Sequence, residues 1–473
     1  MERALMLFST PQYALFLLFV VFAVRIAPRN RRSGVLLAAS IVFYSLWLPA
    51  YLLLLGADLA INYILLRRMV KSDRPRVYLT VAVVFTLALL ARFKYAGFAI
   101  ETAMPLLTAV MEVPPEIPHL FLPLGISFYS FQIIAMTVDT YRGDIKPIDS
   151  FWRYALFISF FPQLIAGPIL RSTQLLPQLL SGGHISRERT HRGMWLLISG
   201  AAKKLIVADF LLAPFVNEAY SVPGLGTAGY HLCVAFSFLF QVYYDFSGYV
   251  DMARGSALLL GFELPHNFLE PYLARNPAEF WRRWHITLSD WLRDYIYIPL
   301  GGNRNGEVRS YLNLMITMVL GGLWHGAAWP FVMWGGLHGI WLALHRLFGG
   351  DTRTFDRPIS WSDAPKIAVT FLGMALVQAS FRSPSLEVAL EFYGGFASFD
   401  FLSGWPPVQT AIVILCCVLH FAERWVREHM PQLRARAREA YLPTLFEGAV
   451  AGLLIGICWA VSGAGGEFIY FQF

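Results

Sequence analysis

Apolar stretches of bilayer length recur along this chain, and they limit its fold more than any other feature. A helix needs about 20 mainly apolar residues to cross a hydrocarbon core. The first such stretch is Pro11 to Ala27, which carries Arg25 and is followed by Arg29, Arg31 and Arg32. No small-residue cleavage site follows it, so it reads as a permanent span rather than a signal peptide. Gly34 to Leu66 would be about 50 Å long as one helix, well beyond a core of about 30 Å. Pro49 sits mid-stretch and both flanks are basic, so a hairpin turning near Leu48–Pro49 is expected. Further spans are expected near 77–93, 119–139, 193–213 and 229–250, as a hairpin over Ser310 to His345, and near 366–382, 408–425 and 446–462. Residues 154–180 hold Pro162, Gly167, Pro168 and Pro177. Broken apolar backbone is tolerated at membrane depth only where protein buries it, so this piece reads as re-entrant.

The predicted fold class is all-α, a polytopic transmembrane bundle of about 11–12 spans plus re-entrant and interfacial helices. Composition agrees: 56% of residues are hydrophobic and 15% charged, against about 25% charged in soluble domains. That excludes a disordered chain, a disulfide scaffold and a nucleic-acid module. The net charge of +7 follows orientation. Loops 95–118, 214–228, 383–407 and 463–473 lack Lys and Arg but carry Glu101, Glu112, Glu116, Glu218, Glu387, Glu391, Asp400 and Glu467. Placing them outside, with both termini, satisfies the positive-inside rule. Cys233, Cys416, Cys417 and Cys458 all lie in apolar runs without a C-x-x-C spacing and read as packing residues. One membrane domain over 1–473 is the economical organisation.

Polar groups at membrane depth are expensive and face protein or water. They are densest between Gln241 and His345. Gln241, Asp245 and Tyr249 lie four apart on one helical stripe, with Asp251 beyond. These residues are either a satisfied structural network or the wall of a polar cavity. Asn276-Pro277 opens the next helix as N-cap and first-turn proline. It is expected to align Trp281, His285, Leu288, Leu292 and Tyr295 on one face. Arg282 and Arg283, with Arg275 and Arg304, either anchor the helix to anionic headgroups or hold a phosphorylated cosubstrate. His325 and His338 follow in an apolar, Trp-rich and Gly-rich hairpin. Burial keeps an imidazole neutral, which suits either an interhelical hydrogen bond or a general base. There is no nucleophile elbow, P-loop or H-E-x-x-H, and the His spacings suggest no metal.

Several motifs resemble one family. They are Phe280-Trp-Arg-Arg-Trp-His-Ile-Thr-Leu288, Arg293-Asp-Tyr-Ile-Tyr-Ile-Pro-Leu-Gly-Gly-Asn-Arg304, Trp324-His-Gly326 and Trp334-Gly-Gly-Leu-His-Gly339. Pro123-Leu-Gly-Ile-Ser-Phe-Tyr-Ser-Phe-Gln132, Phe161-Pro-Gln-Leu-Ile-Ala-Gly-Pro-Ile169, Tyr243-Tyr-Asp-Phe-Ser-Gly-Tyr-Val-Asp-Met-Ala253 and Phe468-Ile-Tyr-Phe-Gln-Phe473 support them. In this order they resemble the membrane-bound O-acyltransferase family, in the branch serving O-acetylation of alginate and related exopolysaccharides, with the motif core at about 120–345. The resemblance implies a funnel-like helical core with a thinned centre in a bacterial inner membrane. His325 maps to the catalytic histidine and His285 to the second polar position, while His338 is structural or an additional site residue. It further implies cytoplasmic acetyl-CoA as donor near Arg275, Arg282, Arg283 and Arg304, with no resident cofactor. The expected partners are an extracytoplasmic SGNH-hydrolase-like acetyltransferase and membrane lipids. A lipid or small-molecule acyltransferase, or a transporter without acyl chemistry, is the alternative.

Overall fold

A computed structural model describes residues 6–111, 121–165, 167–350, 355, 357–437 and 442–462. Glu112, Glu116, Ala166, the stretch 463–473 with its motif Phe468–Phe473, and both chain ends lie outside the described residues. Every regular element among the described residues is helical, so the chain is a polytopic helical membrane protein. Four helical segments there are long and apolar enough to cross a membrane: Pro49–Lys71, Pro75–Val110, Trp361–Arg382 and Pro407–Arg427; Pro11–Ile26 and Glu447–Val461 are shorter apolar helices. Two compact units are present, Met1–Leu197 with Met252–Pro265, and Ile198–Asp251 with His266–Phe473.

In the first unit, proline sets several helix starts. Thr10 caps Pro11–Ile26 by accepting the Tyr13 N–H at 3.3 Å, and Pro49 and Pro75 occupy first-turn positions, where the missing N–H is harmless. Helix Pro11–Ile26 buries Tyr13, Leu17, Val20 and Val24 and exposes Leu15, Leu18, Phe19, Phe22 and Ile26. An outward apolar face of that size belongs in lipid rather than water. The helices Arg32–Ser45 and Pro49–Lys71 turn at the expected proline. Residues 151–181 form three short helices, Phe151–Ser159, Phe161–Leu164 and Ser172–Ser181. The break is buried, and polar side chains satisfy its backbone: Gln163 Nε2 donates to the Phe157 carbonyl at 2.7 Å, and Phe161 N–H donates to Ser40 Oγ at 3.2 Å. Gly125, at φ 68°, lies against the Leu164 carbonyl, where a Cβ would collide.

The second unit is built around aromatic side chains. Phe238, Phe240, Tyr243, Tyr244, Tyr272, Phe280, Trp284, Phe331, Trp334 and Phe381 are buried in one cluster. Against it stands the hairpin Glu307–His325 and Trp329–Leu347. Gly322 and Gly335 let its two arms touch. A Cβ on Gly335 would strike the Met318 carbonyl oxygen and reach the Val319 Cα at 3.0 Å. Gly335→Ala is therefore expected to destabilise the protein by about 1–3 kcal/mol, the usual result of overpacking against backbone. Thermal unfolding in detergent measures it, and an unchanged melting temperature would contradict the packing argument.

Candidate active site

The three expected histidines lie in this second unit, and all are buried. His325 ends its helix at the tip of the hairpin, directly before Gly326. Its ring is caged by Trp324 at 5.0 Å, Trp334 at 5.0 Å and Phe381 at 5.3 Å between centroids. The His285 ring stands 6.2 Å from it, tilted by 73°. His338 is one step removed. It packs on Trp334 at 4.6 Å and Trp281 at 5.0 Å, so Trp334 separates it from His325. Trp334 is itself fixed by donating to Gln378 Oε1 at 2.9 Å.

His285 reaches this position through an unusual backbone. The expected continuous helix from Pro277 is interrupted. Asn276 does cap Pro277–Arg283, accepting the Glu279 N–H at 2.8 Å. The chain then breaks at Trp284–His285 and a second helix runs Ile286–Leu292. His285 has φ 42° and ψ 53°, a left-handed conformation that costs a non-glycine residue about 1–3 kcal/mol and persists only where surrounding structure imposes it. Phe246 packs on the ring at 4.8 Å and Trp324 at 5.8 Å. Neither ring nitrogen reaches a hydrogen-bonding partner on another described residue. Burial pushes this imidazole down to about 3. It is neutral at physiological pH, with one N–H to donate and one nitrogen to accept. That suits polarising a carbonyl better than taking a proton.

The other expected site residues divide. Arg275 and Arg283 converge on one carboxylate: Glu279 Oε2 lies 2.9 Å from Arg275 Nε, and Oε1 lies 2.8 Å from Arg283 Nη2. Arg275 also reaches Asp363 at 3.3 Å, and Arg283 Nη1 donates to the Leu269 carbonyl at 3.0 Å. Their charge is met within the fold, because Glu279 sits one helical turn from each of them. Arg282 and Arg304 are exposed. On helix Ala228–Leu259, Asp245 and Asp251 pair with different lysines. Asp245 pairs with Lys204, which also holds Asp209 at 2.9 Å. Asp251 pairs with Lys203 at 3.1 Å, and Lys203 reaches Glu423 at 2.6 Å. Gln241 is buried.

The partners Lys203, Lys204 and Glu279 were not expected from the sequence. A signal existed for the lysines, which interrupt an apolar run. The π-helical stretch Ala202–Leu212 puts Lys204 and Asp209, five apart, in register, since its bonds run i to i+5. No grouping of His, Cys, Asp and Glu among the described residues could hold a metal ion.

The sequence profile of the membrane-bound O-acyltransferase family matches residues 66–374, a span holding all three histidines. The chain belongs to this family. Among its relatives, an Azotobacter vinelandii protein named "Probable alginate O-acetylase AlgI" is 39% identical over 401 residues, 83% of this chain and 78% of that one. A Helicobacter pylori "Peptidoglycan O-acetyltransferase" is 36% identical over 398 residues, 78% of this chain and 74% of its own. A Bacillus subtilis "Teichoic acid D-alanyltransferase" is 24% identical over 297 residues, 59% and 75% of the two chains. As a family member the protein is a membrane O-acyltransferase. Acyl transfer needs a base for an alcohol and a donor for a carbonyl oxygen, and paired buried imidazoles can fill both roles.

Proposed function

We propose that the protein passes an acetyl group from cytoplasmic acetyl-CoA, across a bacterial inner membrane, to an acceptor hydroxyl outside, for O-acetylation of an alginate-like exopolysaccharide. The observation that carries the reading is the buried pair of His285 and His325, 6.2 Å apart between ring centroids and walled by aromatic rings that exclude water. Two relatives at 36–39% identity, named for O-acetyl transfer, support acetyl as the acyl group.

In this reading His325 accepts the proton of the acceptor hydroxyl as its oxygen attacks the thioester carbonyl carbon. His285 donates its N–H to the carbonyl oxygen as negative charge grows there. The carbon–sulfur bond breaks, and the thiolate leaves with the proton returned from His325. His338 steadies His325 through Trp334. Arg282 and Arg304, exposed and cationic, suit the phosphates of the cosubstrate better than Arg275 and Arg283, which Glu279 occupies. The proposed topology has about 12 crossings with both termini outside, as the loop charges favour. An extracytoplasmic SGNH-hydrolase-like acetyltransferase would receive the acetyl group. Dividing the work this way means that only a small acyl group crosses the membrane.

Inside-out membrane vesicles given labelled acetyl-CoA or labelled palmitoyl-CoA test this. Acetyl label is expected on a lumenal hydroxyl acceptor. Label entering phospholipid from palmitoyl-CoA, with none moving from acetyl-CoA, would replace this reading by lipid acylation.

A further inference from the structure

We infer that Asn267 is a positioning residue of this site, holding His285 in the left-handed conformation that sets its ring beside His325. The inference rests on the reading of His285 given above and adds what keeps that residue in place.

The local sequence favours a different backbone. Residues 277–297 carry helix-compatible side chains without an internal proline or glycine. In an unbroken helix Ile286 N–H would donate to the Arg282 carbonyl and Thr287 N–H to the Arg283 carbonyl, four residues back. Neither bond forms. Ile286 N–H donates to the Asn267 carbonyl at 3.0 Å. Thr287 N–H donates to Asn267 Oδ1 at 3.0 Å, and Thr287 Oγ1 donates to the same atom at 2.9 Å. The Arg283 carbonyl is already taken by Leu269 N–H at 3.0 Å. Residues 267–269 therefore capture the bonds on both sides of His285 that a continuous helix would use. His285 sits at the gap, and φ turns positive there.

The bonding also fixes the amide's orientation. Two donors meet at one side-chain atom, so that atom is the oxygen. Asn267 is 1% exposed, so water does not compete for it. Without that oxygen, the Thr287 N–H and O–H lose the acceptor that ties them to Asn267. The low-energy remedy is the helical backbone, which swings the His285 ring away from His325. A misplacement of this kind acts on catalysis and leaves donor binding elsewhere untouched.

The test uses the full-length protein in detergent, with monodispersity checked by size exclusion. Asn267→Ala is expected to lower kcat by about 100-fold, the scale of loss for a misplaced reacting group, with KM for acetyl-CoA unchanged. Carbethoxylation of His285, read by peptide mass spectrometry, should rise in the same variant as the ring leaves its cage. Asn267→Asp keeps the accepting oxygen and is expected to restore both kcat and protection. Equal impairment in the Ala and Asp variants, or a protected His285 in Asn267→Ala, would overturn the inference. The catalytic reading fails separately. If His285→Ala keeps full kcat while Asn267→Ala still unmasks His285, the positioning stands and the catalytic role of His285 does not.

Discussion

Replacing His325 with Ala is expected to lower acetyl transfer by about 1,000-fold, within the range that a general base contributes, without loss of folded protein. The expectation follows from where the ring lies. It is the one imidazole in direct ring contact with His285, Trp324, Trp334 and Phe381 together among the described residues. Among the described residues His338 meets the cage through Trp334, so His338→Ala should cost markedly less activity. Removing the ring also leaves a void, so His325→Gln, which retains more volume, belongs beside it. Both variants should be made in wild-type amounts, elute as a single species and fail in turnover. Wild-type labelling by either one would remove His325 from the mechanism.

Glu279→Gln is expected to have the largest effect on stability, about 3–5 kcal/mol, the usual loss when one partner of a buried ion pair is removed. Glu279 lies between Arg275 and Arg283, and all three side chains are at most 9% exposed. The variant takes the paired carboxylate from buried Arg283 and leaves Arg275 with Asp363 alone, at 3.3 Å. Burial by itself would raise the Glu279 carboxyl, but the hydrogen bonds from Arg275 and Arg283 outweigh it and hold the carboxyl below its ordinary value of 4.5. A depressed carboxylate contributes stability that is fully present above the unfolded value and is lost as pH falls through the folded one. The wild-type melting temperature should therefore lose this contribution only below about pH 4.5, and the Gln variant should lack that part of the acid dependence. A variant that melts with the wild type would mean the triad is not buried as described.

Much of the helical framework could be read beforehand because it depends on local rules. Pro49 turns the first hairpin, and Asn276 with Pro277 starts a helix where an N-cap and first-turn proline should. The second hairpin, 307–325 and 329–347, follows the limit on length for an apolar run. The motifs Trp324-His-Gly326 and Arg283-Trp-His285 pointed to two histidines that prove to be neighbours. What failed was the continuous face expected for Trp281, His285 and Leu288. Periodicity assumes that each N–H bonds four residues back, and Asn267, eighteen positions away in sequence, takes two of those groups instead. The pairing of Arg275 and Arg283 was hidden for a related reason. Charge suggested an anion site for four arginines, and Glu279, at four-residue spacing from both, pairs with two of them, Arg275 and Arg283.

Residence in a membrane, helical class and family were all determined by the order of residues, since each depends on hydrophobicity and motif within short windows. Which imidazole meets which, which arginines stay in solvent, and how His285 is turned were decided only by the tertiary structure. The physical reason is competition. A buried donor or acceptor is satisfied by whichever partner the packed fold brings nearest, and at His285 a distant asparagine displaces the bonds its own helix would have made.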